Sequence, residues 1–142
     1  MRVVIAIDPG RDKCGLAVVS ENGVLHKSIR PPGEIPEAVE DLIHSHSPET
    51  IVIGNGTHAE ALAERLRADR SRLRWRLPDL AGDLPIVFTD ESYTTLRARA
   101  RFFQENPPRG LRRLIPRGML APDRPVDDLA AVILAEDFLA GK

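Results

Sequence analysis

The sequence predicts an α/β protein built on one mixed sheet with helices on both faces. Residues 3–7, 15–19 and 24–29 are three β-rich runs in close succession. Glu21-Asn22-Gly23 separates the last two, and Asn-Gly accepts the positive φ angles of a hairpin turn. From residue 35 the apolar spacing becomes helical, and two further β-branched runs, 50–53 and 84–88, alternate with helical stretches. That order gives an antiparallel three-stranded meander followed by strands joined through helices.

The first run, Val3-Val4-Ile5-Ala6-Ile7, reads as a buried strand that stops at a carboxylate, Asp8. Pro9 and Gly10 follow, so the chain turns tightly beyond the acid. Pro31-Pro32-Gly33 closes the meander. Ala38, Val39, Leu42 and Ile43 then mark the apolar side of a helix that ends before Pro48, with His44 and His46 as surface residues of its last turn. The strand at 50–53 breaks at Gly54-Asn55-Gly56-Thr57, where Thr57 suits the N-cap of the next helix. Ala59, Leu62, Ala63 and Leu66 form that helix's buried face. Residues 78–83 are a connector, and the strand at 84–88 leads into Thr89-Asp90-Glu91-Ser92. Leu96, Ala100 and Phe103 are the inward positions of the following helix, which runs to Arg101 or so. Residues 109–124 carry prolines and glycines that oppose regular structure and read as a mobile basic loop. A last helix covers 126–139, with Ala131, Leu134, Ala135 and Phe138 on its apolar stripe and Glu136 and Asp137 on its wet face.

Length and composition narrow the class. A chain of 142 residues suits one domain, 1–142, with a single core. No stretch approaches about 18 consecutive apolar residues, and the N-terminus enters a strand without a leader, so a cytoplasmic protein with no membrane partner is expected. The single Cys14 excludes an internal disulfide. Net charge is −1, but residues 97–117 hold seven arginines against one acid, and a second basic cluster spans 65–76. Such segregation points to phosphate contact, with a solvated, salt-bridged surface as the plainer reading.

Acids stand at two strand ends, Asp8 and Glu91, and at the start of the last helix, Asp127 or Asp128. The aspartates each have a local explanation, since an aspartate before Pro-Gly caps turns and acids in a first helical turn complement the helix dipole. Together the acids have another. Three carboxylates meeting at one sheet edge would repel unless a cation intervened, and an all-oxygen set suits Mg2+ or Mn2+ rather than structural zinc. Two such ions can activate water and stabilise a leaving oxyanion in phosphodiester hydrolysis.

The order and spacing of four segments resemble the YqgF (RuvX) branch of the RNase H-like nucleases, related to the RuvC Holliday-junction resolvases. They are Ile7-Asp8-Pro9-Gly10 with Gly15-Leu16-Ala17, Ile51-Val52-Ile53-Gly54, Asp90-Glu91-Ser92 with Thr94-Thr95, and Val126-Asp127 with Ala130-Ala131. The resemblance covers essentially the whole chain. It implies an RNase H-like five-stranded mixed sheet and a metal-dependent endonuclease. Asp8, Glu91 and Asp127 would be the catalytic metal ligands, with Asp128 as the substitute for Asp127.

The substrates implied are structured RNA such as the 5′ end of pre-16S rRNA, or branched DNA, cut by a monomer or a homodimer. Lys13, Arg97, Arg101, Arg112 and Arg113 are the expected nucleic-acid contacts. Three positions depart from the family: Lys13-Cys14 where Lys-Arg is usual, Ser92 in place of the arginine of D-E-R, and Gly54-Asn55-Gly56-Thr57 where many members have Gly-Leu-Pro. Lys13-Cys14 and Ser92 motivate an alternative, a nucleic-acid-binding module of weak catalysis.

Overall fold

The first strand of the chain lies at the middle of the sheet. In the computed structural model, which describes residues 2–73, 84–90, 94–116 and 121–141, β1 (Val3–Asp8) pairs antiparallel with β2 (Cys14–Ser20). Strand β3 (Gly23–Arg30) pairs antiparallel with β2 across the Asn22-Gly23 turn. On the other side, β4 (Thr50–Asn55) runs parallel to β1 and β5 (Ile86–Asp90) parallel to β4. The order β3-β2-β1-β4-β5 is the expected meander plus two parallel strands.

The described residues include four helices: α1 (Ile35–His46), α2 (Ala59–Leu73), α3 (Thr94–Glu105) and α4 (Asp127–Leu139). Side chains alternate across a strand, so each strand serves both faces. Val3, Ile5 and Ile7 join the core under α1 and α2, where Leu42, Ile43, Leu62 and Leu66 meet them. Val4 and Ala6, with Ala17, Val19 and Val52, face α4. The alanines matter, because small side chains on that face let α4 lie close to the strands. Parallel pairing aligns the C-terminal ends of β1, β4 and β5 at one edge, through Ile7↔Ile53 and Ile53↔Phe88.

Helix α4 is buried continuously from Asp128 to Ala135. Ala131, Leu134 and Ala135 meet the sheet as expected, while Leu129, Ala130 and Ile133 meet α3 on the opposite side. A helix covered from two sides needs no wet face over that length. Glu136 and Asp137, expected in water, are half-buried and paired with arginines of α3.

Three expectations are corrected. The inward face of α3 consists of Thr94, Ala98, Phe102 and Phe103, whereas Leu96 is 60% exposed and Ala100 is exposed. Two adjacent phenylalanines in edge-to-face contact bury more apolar area than Leu96 and Ala100 could, and that sets the rotation of the helix. The N-cap position of α2 falls on His58, whose carbonyl accepts the Leu62 N–H, one residue after Thr57. Within the basic loop, Gly110–Leu114 forms a 3-10 turn rather than irregular chain. The connector at 78–83, Glu91 and Ser92 lie outside the described residues.

Candidate functional site

Asp8 is the last residue of β1 and shares the alternation of Val4 and Ala6, so its side chain belongs to the face covered by α4. It is half-buried at the edge where the parallel strands end. The chain then turns back through Pro9 to Lys13. Gly10 is required there, because a Cβ would stand 2.2 Å from the Lys13 carbonyl oxygen. The turn is held from beneath by the Cys14 thiol, which donates to the Gly10 carbonyl at 3.9 Å.

Gly15 pairs with Asp8 across the β1-β2 ladder and also supports the first turn of α4. A Cβ at Gly15 would lie 1.8 Å from the Asp127 carbonyl oxygen, so backbone meets backbone. One missing side chain thus brings Asp127 alongside the end of β1. Lys13 closes the arrangement, with its Nζ 3.5 Å from Asp127 Oδ2. Burial pushes the Cys14 thiol above its ordinary pKa, and the charges of Asp8 and Asp127 each push it further the same way.

The two aspartates of α4 diverge. Asp127 keeps 28% of its side chain exposed and turns to Lys13. Asp128 is buried, and its Oδ1 accepts from the Leu129 N–H at 2.9 Å and from Arg124 at 3.1 Å. Arg124 in turn lies over the Phe102 ring, 5.4 Å from its centroid. Asp128 is therefore tied into the α3–α4 packing, and Asp127 faces the sheet edge.

At the end of β5, Asp90 is the last described residue, opposite Asn55 of β4. Thr89 pairs with Gly54, in the row that continues from Asp8, two strand spacings or about 10 Å away. Its Oγ1 is buried and accepts no hydrogen bond among the described residues. Ile86 and Phe88 pack toward α1 and α2, so alternation turns Thr89 to the Asp8 face. Nothing in the sequence marks Thr89, a common residue whose significance is its row. Glu91 follows two residues later, outside the described residues, and among those described no three His, Cys, Asp or Glu side chains gather at one point. The two described carboxylates, Asp8 and Asp127, are hard oxygen donors and fit Mg2+ or Mn2+ better than a soft metal.

The expected phosphate contacts are dispersed. Arg97 makes two hydrogen bonds to Asp137, at 2.6 and 2.9 Å, and this bidentate pairing holds its guanidinium above its ordinary pKa. Arg101 pairs with Glu136 and with Glu105. The two arginines share a helix face, as their spacing requires, and that face meets the acids of α4. Arg112 and Arg113 are exposed on the 3-10 turn and donate to the Ala121 and Gly110 carbonyls. Of the five, Lys13 alone contacts one of the candidate acids among the described residues.

Comparison with known proteins adds independent findings. A family model described as "RuvX: Holliday junction resolvase" matches residues 2–141. Proteins of Pseudomonas paraeruginosa and Pseudomonas aeruginosa, each named "Putative pre-16S rRNA nuclease", are 29% identical over 150 aligned positions, covering 99% of this chain and 93% of theirs. The fold is similar to that of Thermus thermophilus RuvC, with a TM-score of 0.59 at 16% identity over 94% of this chain and 90% of that one. The same protein solved with a Holliday junction substrate gives 0.56 at 18% identity, over 95% and 90%.

Proposed function

The chain belongs to the RuvX family, and from that membership we propose that it is a divalent-metal-dependent endonuclease of structured nucleic acid. The observation that supports the reading is that Gly15 is both the ladder partner of Asp8 and the backbone contact of Asp127, two acids from opposite ends of the sequence. Asp8, Asp127 and Glu91 would hold Mg2+ or Mn2+, and the metal would supply an activated water and a stabilised leaving oxygen. The chain's own part is positioning. Ladder pairing with Gly15 sets the position of Asp8, the Gly15 contact sets that of the Asp127 backbone, and Lys13 offers an ammonium that pairs with Asp127 and can contact a substrate phosphate.

Two substrates follow from the relatives: a precursor rRNA end, as in the names of the Pseudomonas proteins, and branched DNA, as in the RuvC complex. A monomer suffices for a single cut, and a homodimer for paired cuts.

The test compares wild type with Asp8→Asn on a pre-16S rRNA 5′ end and on a four-way DNA junction. Wild type is expected to cleave one of them with Mn2+ or Mg2+ and to stop with chelator. Asp8→Asn should lower the rate by at least about a hundredfold. Unchanged cleavage by Asp8→Asn would overturn the mechanism, and salt-sensitive binding without chelator-sensitive turnover would favour the weakly catalytic binding module instead.

A further inference from the structure

A second concave feature adjoins the candidate acid site, on the other side of the β1-β2 turn. Asp8 belongs to the α4 face, whereas Cys14 belongs to the core under α1 and α2. On that side a cavity of about 170 Å3 opens. Pro9, Cys14, Pro32 and Leu62 form its apolar wall, and Arg11, His58 and Arg65 stand around it.

Six arginines among the described residues are held by acids, and none of the six lines this pocket. Arg2, Arg30, Arg67, Arg97, Arg101 and Arg124 all pair with carboxylates. Among the described residues, the Arg11 and Arg65 side chains make neither an ion pair nor a hydrogen bond, although both border the same cavity. They come from the β1-β2 turn and from α2, so the fold brings them together. Guanidinium groups without a carboxylate beside an apolar wall suit a ligand that is anionic at one end and flat and apolar at the other. The volume is below the roughly 300–1,000 Å3 of pockets that enclose a whole ligand, so the cavity suits one part of a larger molecule.

We propose that the pocket between the β1-β2 turn and α2 seats one unpaired nucleotide of the substrate strand, its phosphate held by Arg11 and Arg65 and its base against Pro9, Pro32 and Leu62. His58 adds a donor at the rim. The pocket rests on the proposed nuclease reading for its substrate, and it gives that reading a preference for strands with an unpaired segment next to the scissile bond. Pro9 and Pro32 have fixed φ angles, so the wall is stiff before the base arrives.

Binding measured in chelator separates this inference from catalysis. Fluorescence anisotropy with labelled single-stranded RNA and DNA oligonucleotides should show Arg11→Ala and Arg65→Ala each weakening affinity about tenfold, the scale of one charge-assisted contact. Each should also lower the salt slope by about one. Arg65→Lys should recover most of the loss. Arg67→Ala, on the same helix but paired with Glu60 and Glu64, should change affinity less than about twofold.

Wild-type affinity in both pocket variants overturns the proposal, as does an equal loss in Arg67→Ala or a wild type that binds neither oligonucleotide. Competition by a free mononucleotide at the oligonucleotide's own concentration would assign the pocket to a small molecule and overturn the strand reading. If wild type fails to cleave with Mn2+ while the pocket variants lose binding, the nuclease reading falls and the pocket stands.

Discussion

Gly15 and Asp127 touch through backbone alone: the Asp127 carbonyl oxygen occupies the space where a Cβ of residue 15 would be, 1.8 Å from its ideal position. Because Gly15 is also the ladder partner of Asp8, this contact sets how far the first turn of α4 stands from the end of β1. The geometry of the candidate site thus depends on a residue with no side chain.

Gly15→Ala should therefore be damaging out of proportion to its size. The methyl must push α4 outward, an overpacking expected to cost about 1–3 kcal/mol in stability. Cleavage should fall further than the folded fraction does. A thermal melt alongside a cleavage assay on the same sample checks this, and unchanged activity would show that α4 can shift without cost to the site.

Asp127→Asn and Asp128→Asn should separate function from stability. Asp128 is buried, with two hydrogen bonds to its Oδ1, so its substitution should cost about 1–3 kcal/mol while activity per folded molecule persists. Asp127 is partly exposed in a single long ion pair, so Asp127→Asn should change stability by less than about 1 kcal/mol and abolish cleavage. Denaturant unfolding with single-turnover rates reads both. The reverse pattern would make Asp128 the ligand.

Stability should be greatest between about pH 6.5 and pH 9, the ordinary values of His26 and Cys14. Burial, helped by the charges of Arg30 and His46, lowers the folded pKa of His26, so its contribution is present above 6.5 and is lost as pH falls. Burial, helped by Asp8 and Asp127, raises the folded pKa of Cys14, so its contribution is present below 9 and is lost as pH rises. Urea midpoints across pH should show both limbs. His26→Gln should flatten the acid limb and Cys14→Ala the alkaline one.

Much of the fold was legible because its signals are local. The run Val3-Val4-Ile5-Ala6-Ile7 is apolar on both parities, which only a strand covered on both faces requires, and Asn22-Gly23 specifies a hairpin from two residues. The rotation of α3 was not legible. Leu96-Ala100-Phe103 and Ala98-Phe102 are both acceptable helical stripes, and the choice between them rests on α4, more than twenty residues further on. The same holds for Arg97 and Arg101. Their spacing shows that they share a face, and only the packed helix pair shows that this face meets Asp137 and Glu136.

The sequence by itself determined the strands, the order of helices and the acid types at the strand and helix ends, because period, turn chemistry and residue class act over a few neighbours. Tertiary structure alone decided that Asp127 rather than Asp128 turns to Lys13, that Thr89 stands in the row of Asp8, and that Arg11 and Arg65 share a cavity. Each is a relation between segments far apart in the chain, set by how closely α4 and α2 can approach the sheet. That distance depends on packed volume, which no local pattern encodes.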